Sequence, residues 1–77
     1  MITGSQIRMA RHHLRWTAKQ LAEKAGVGLS TVQRMESVDG VPPSNLPNLK
    51  AVKMAFEDAG IVFIDENGGG PGLRLRK

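Results

Sequence analysis

The stretch Thr17-Ala-Lys-Gln-Leu-Ala-Glu-Lys-Ala-Gly-Val-Gly-Leu-Ser-Thr-Val-Gln-Arg-Met-Glu36 decides how this chain folds. Thr17 and Gln20 have the spacing at which a Thr and a Gln side chain each satisfy a free N–H at a helix start. Trp16 and Leu21 flank that box where a hydrophobic staple would put them. Ala18, Leu21, Ala22 and Ala25 make a narrow face of small residues, and Gly26 suits a helix end that needs a positive φ. The reading is a short helix over residues 18–25. Leu29, Val32 and Met35 then repeat at helical spacing, so a further short helix follows and ends before Asp39-Gly40. Its start has two candidates. Gly28 can be the N-cap, or Ser30 can, because Ser30 and Gln33 form another capping box.

Outward from this pair the chain reads as more helix on both sides. Thr3 and Gln6 repeat the capping box, with Ile2 and Ile7 as its staple. Ile7, Ala10 and Leu14 keep one face apolar, so a first helix runs through residue 14. Val41-Pro42-Pro43-Ser44 is a loop, because two prolines cannot lie inside a helix. Pro47 suits a first helical turn. Leu49, Val52, Phe56 and Ala59 then repeat at helical spacing, giving a fourth helix over residues 46–58 that stops at Gly60. Ile61 to Ile64 is β-branched and aromatic, a strand signal. Asp65-Glu66-Asn67-Gly68-Gly69-Gly70-Pro71-Gly72 reads as a turn, and Leu73-Arg74-Leu75-Arg76 alternates apolar and basic like a second strand. The expected fold is mostly α, four helices with a C-terminal β-hairpin or, failing that, a strand and an extended arm. Residues 1–60 form the helical domain and 61–77 the tail.

Composition narrows the function. A chain of 77 residues makes one small domain, which hides only about 60% of its unfolded surface and gains from self-association. With no cysteine, disulfides and thiolate metal sites are excluded. The longest apolar run, residues 61–64, is far below the ~20 residues that span a bilayer. The N-terminus lacks signal-peptide order, so a cytoplasmic location is expected. Residues 1–34 carry six basic groups against Glu23 alone, whereas residues 35–70 carry two lysines against six acids. Arg74, Arg76 and Lys77 complete the net charge of +4. A basic half beside an acidic half suggests one face for a polyanion. His12 and His13 are adjacent, so on a helix they point apart and make no metal pair; they belong on or beside the polyanion-facing surface. The glycine-rich residues 68–72 have no following Lys-Ser/Thr and are a turn, not a phosphate loop. Trp16 reads as staple and core. Nothing resembles a nucleophile–base pair or two carboxylates around a cleft, so neither catalysis nor a cofactor or metal is expected.

A short helix, a glycine turn and a second short helix make a helix-turn-helix, and residues 17–36 resemble the Xre/Cro-type regulators. Ala22 is small where the two helices cross, and Leu21, Val27 and Val32 fill the angle between them. The resemblance implies a lambda-repressor-like four-helix domain over residues 3–59 and double-stranded DNA as partner. The recognition helix, residues 28–37, would lie in the major groove. It would present Leu29, Ser30, Thr31, Gln33 and Arg34 to base edges, with Arg34 suited to guanine, Gln33 to adenine and Leu29 to a thymine methyl. Ser30 is divided between capping the helix and reading a base. Thr17 and Lys19 would hold phosphate, with Arg8 and Arg15 as further phosphate contacts. Ala18 and Gly28 depart from the family, which commonly has Gln and Ser or Thr there. Arg11 and Glu36 match a structural ion pair that ties the first helix to the end of the third. A repressor is the expected function. The alternative is a protein-interaction module such as an antitoxin on the same fold. A homodimer through residues 61–76 is expected, because residues 61–64 are apolar on both strand faces and a lone hairpin leaves edges open.

Overall fold

The computed structural model describes residues 2–64 and the backbone of residues 72–75. The turn expected at residues 65–72 falls, but for Gly72, outside the described residues, as do the side chains of the second tail strand. Four helices come first: α1 (Gly4–His13), α2 (Ala18–Ala25), α3 (Leu29–Glu36) and α4 (Leu46–Asp58). Strands β1 (Ile61–Ile64) and β2 (Gly72–Leu75) follow. They pair antiparallel, with Ile61 opposite Leu75 and Ile64 opposite Gly72.

Side chains close three of the four helix starts. The Thr3 hydroxyl accepts from Gln6 N at 3.1 Å while Thr3 N donates to Gln6 Oε1 at 2.9 Å. Thr17 and Gln20 do the same at 3.0 and 2.8 Å. Asn45 caps α4 by accepting from Asn48 N at 2.9 Å, and Pro47 sits in the first turn. For α3 the N-cap is Gly28, without a side-chain bond. The two-way choice left by the sequence is thereby closed, and Ser30 lies exposed in the first turn. The helix also ends at Glu36, where the Ser37 hydroxyl donates to Arg34 O at 2.6 Å.

Helices α1 and α2 end alike. Trp16 N donates to Arg11 O and Arg15 N to His12 O; Val27 N donates to Ala22 O and Gly26 N to Glu23 O. Both are Schellman turns, which need a left-handed residue just past the helix. Gly26 supplies it in one, at φ 70, and Arg15 in the other, at φ 59.

Burial follows the periodicity. Ile7, Leu21, Val32, Val52 and Phe56 are fully buried, with Ile2, Ala10, Ala22, Met35, Leu49 and Ile61 around them. Trp16 stacks on Phe56 with ring centres 5.5 Å apart, and Phe63 meets the same ring edge-on at 5.8 Å. Ile61 and Phe63 thus join the hairpin to the helical core, while Ile64 is 43% exposed. Gln6, buried in α1, donates from Nε2 to Ile64 O at 3.1 Å and ties the tail to the first helix.

Gly4 has a tighter reason to be glycine than its place in a capping box. A Cβ there would lie 1.9 Å from Val38 O and 2.5 Å from Met35 O. The close approach lets Gly4 N donate to Gly40 O at 2.8 Å and Ser5 N to Asp39 O at 3.3 Å. The first N–H groups of α1 have no partner in their own helix, and the chain leaving α3 satisfies two of them. No helix among the described residues is long and apolar enough to cross a membrane.

Candidate nucleic-acid interface

The glycine turn of residues 26–28 fixes how α3 leaves α2. Gly26 takes the left-handed conformation that a side chain would resist. Leu21 and Val32 are buried between the two helices, and Val27 packs against the same cluster. With Val32 and Met35 turned inward, the opposite side of α3 faces solvent. Ser30, Gln33 and Arg34 are exposed there, Thr31 is half-buried, and Leu29 is 39% exposed. An exposed apolar residue beside exposed amide, hydroxyl and guanidinium groups is suited to reading base edges, where methyl groups and hydrogen-bonding atoms alternate.

The far end of α3 is held by two arginines of α1. Arg11 Nε donates to Glu36 Oε2 at 2.8 Å and Arg11 Nη2 to Glu36 Oε1 at 3.0 Å, a bidentate pair. Its third nitrogen reaches Trp16 O at 3.1 Å. The two side chains are 18% and 11% exposed, so water competes weakly for this pair. Arg8 donates to the carbonyls of Glu36 and Val38 and pairs with Asp39. Sequence reading placed Arg8 on phosphate. In the folded chain its guanidinium is already committed to the end of α3, and DNA would have to compete with those oxygens. The sequence signal for this role was faint, since Arg8 and Asp39 are 31 residues apart.

Other expected phosphate residues are differently placed. Thr17 and Lys19 are exposed at the start of α2, although the Thr17 hydroxyl already accepts from Gln20 N. Arg15 is exposed on the turn between α1 and α2. His12 and His13 are exposed at the end of α1. Lys24, also basic, lies with Nζ 5.0 Å from the Trp16 ring centre, a cation–π contact on the α4 side of α2. Trp16 is therefore occupied on both counts, by Phe56 and by Lys24, and is not a platform for bases. Among the described residues no group of three or more His, Cys, Asp or Glu side chains is arranged to hold a metal ion.

The chain matches no curated protein. A family model described as a helix-turn-helix domain matches residues 3–47, more than half of the 77-residue chain. The matched stretch runs from the α1 cap through the first residues of α4 and contains the Xre/Cro-like residues 17–36 whole. On that match, and on the order and packing of its first three helices, the chain belongs to the helix-turn-helix domain family.

Proposed function

We propose that this protein is a sequence-specific binder of double-stranded DNA that regulates transcription, acting as a repressor by occupying a promoter. One observation carries the reading. The outer face of α3 presents Ser30, Gln33 and Arg34, whose side chains make no hydrogen bond or ion pair among the described residues, on a helix anchored along its inner face and at both ends. A rigid support holds such open polar side chains in the fixed geometry that reading a ligand requires. Leu29, Ser30, Thr31, Gln33 and Arg34 would meet bases in the major groove. Thr17, Lys19 and Arg15 would grip the flanking phosphates. Arg11 and Glu36 hold the geometry without touching DNA.

The protein would act as a homodimer. One recognition helix reads only a few base pairs, and a second placed about 34 Å away doubles the site. The surface we assign to this contact is the solvent face of the hairpin, where Ile64 is 43% exposed.

A protein-binding role on the same fold, as in an antitoxin, draws on a different surface. Leu46 and Met54 are 48% and 57% exposed on α4, and Leu46 lines a shallow groove with Ile2, Leu49, Lys50 and Lys53. Titration of a short random-sequence duplex at low salt separates the two readings. A DNA binder shows nonspecific affinity that falls steeply as salt rises, because phosphate contacts release counterions. A chain with no measurable affinity there is not a DNA regulator, and the protein-binding reading would replace it. Selection of bound sites from random DNA then yields the operator, its symmetry and its half-site spacing.

A further inference from the structure

Arg15 is the non-glycine residue that stands at positive φ among the described residues, at 59°. In that conformation a Cβ crowds the following carbonyl oxygen, which glycine avoids. The chain supplies its own comparison. The same Schellman hydrogen bonds close α2, and there the left-handed position is Gly26 at φ 70. The fold therefore asks for glycine at two equivalent turns and has it at one.

What Arg15 offers instead is a free cation. Residues 2–64 contain four arginines: Arg8, Arg11, Arg15 and Arg34. Arg8 and Arg11 spend their guanidinium groups on oxygens of Trp16 and of residues 36–39. Arg15 makes no side-chain hydrogen bond or ion pair among the described residues and is exposed. Its direction follows from the chain on either side. Trp16 turns inward to stack on Phe56, so Arg15 and Thr17 remain exposed before and after it, with Lys19 one turn further on. A guanidinium there makes a strong, charge-assisted contact with a phosphate oxygen.

We propose that Arg15 exchanges fold stability for DNA affinity: from a helix-ending position where glycine would give the more stable protein, its guanidinium grips a phosphate of the duplex. The proposal rests on the DNA-binding reading above and deepens it: the phosphate contact already assigned to Arg15 comes with a second effect, on the fold, of opposite sign. Backbone strain that persists at an exposed position where a smaller residue would relieve it is a recognised mark of function.

The test uses the full chain and three variants, Arg15→Gly, Arg15→Ala and Lys19→Ala, each melted without DNA and titrated with a random-sequence duplex over a range of salt. Arg15→Gly should melt about 2–6 °C higher, since relief of the left-handed strain outweighs the greater freedom of glycine in the unfolded chain. Its duplex affinity should fall several-fold, with a log K against log salt slope shallower by about 0.9, one phosphate contact. Arg15→Ala keeps the strain and loses the charge, so it should show the same binding loss without the gain in Tm. An Arg15→Gly protein that binds with the wild-type slope, or melts no higher than wild type, overturns the proposal. If Lys19→Ala shifts the slope while Arg15→Gly does not, Arg15 alone is misassigned and the DNA reading stands. If the wild-type chain fails to bind duplex at low salt, that reading falls and the proposal falls with it.

Discussion

A Cβ added at Gly4 would meet two backbone carbonyl oxygens, at 1.9 and 2.5 Å, whereas one added at Gly26 would meet nothing within 4 Å. The two glycines are needed for opposite reasons, contact in one case and conformation in the other. Gly4→Ala must push α1 away from the end of α3, and should cost about 3 kcal/mol, the upper end of overpacking. Gly26→Ala should cost about 1 kcal/mol, the strain of a single left-handed residue. Urea midpoints for the two variants check the ranking, and a Gly4→Ala protein as stable as wild type would mean that this packing is not tight. The residues proposed to face DNA divide in the same way. Arg34→Ala should cost about 1–3 kcal/mol on the selected site and relax specificity at one base pair. Lys19→Ala should weaken all sequences alike and make the salt slope shallower by about 0.9. Competition titrations of both variants against selected and random duplex tell base contact from phosphate contact. Equal losses on both duplexes for Arg34→Ala would reassign it to phosphate.

The elements hold their angles through a few cross-ties, not through area alone. Helix α3 has only 8 residues, too few to be stable in isolation. Its position comes from the buried Val32 and Met35, from the α2 turn and from Arg11 gripping Glu36. The ion pair lies between the exposed limit, where such pairs contribute about 0–1 kcal/mol, and the buried limit, where breaking one costs about 3–5 kcal/mol. At 18% and 11% side-chain exposure it should sit nearer the buried one. Arg11→Ala should therefore destabilise the protein by about 2–3 kcal/mol. Melting of Arg11→Ala, Glu36→Ala and the double variant gives the coupling. Strictly additive losses would show that the two side chains do not interact in solution. Because the pair anchors the end of α3, the proposed recognition helix, the single variants should lose specific binding out of proportion to nonspecific binding.

For the whole molecule, the hairpin is tied to the core and is also the surface proposed for the dimer contact. Ile61 belongs to the core, Phe63 packs on Phe56 and Gln6 holds Ile64 O, so the strand cannot be cut away without opening the domain. Truncation at residue 60 would confound folding with association. Ile64→Lys is the cleaner probe, because that side chain is already 43% exposed and its loss leaves the core intact. Sedimentation of the full chain in the tens-of-micromolar range should give a dimer, and Ile64→Lys should give a monomer with an unchanged helical spectrum. The variant should keep random-duplex binding per chain while losing affinity for a two-fold symmetric site. A monomeric wild type, or a dimeric Ile64→Lys protein, would place any self-association elsewhere.

The sequence by itself determined what acts over three or four residues. Both capping boxes, the Gly26 stop, the loop at Pro42-Pro43 and the span of α4 are decided by groups within one helical turn of each other, where chain connectivity alone brings partners together. The helix-turn-helix was legible for the same reason, since its small, glycine and apolar positions lie within 20 consecutive residues, 17–36. Where two local signals competed, at Gly28 and Ser30, local reading could not choose; in the folded chain α3 starts from Gly28, whose carbonyl accepts from Thr31 N and Val32 N. Only the tertiary structure decided the long ties: Gly4 against Val38 O, Arg8 on the end of α3, and Gln6 on Ile64 O across 58 residues. Each depends on where a distant backbone carbonyl lies, and every residue carries that group, so no side-chain pattern announces it. That is why Arg8, to sequence reading one more cation on a basic face, proved to be bound by the fold, while Arg15 and Arg34 were left open to solvent.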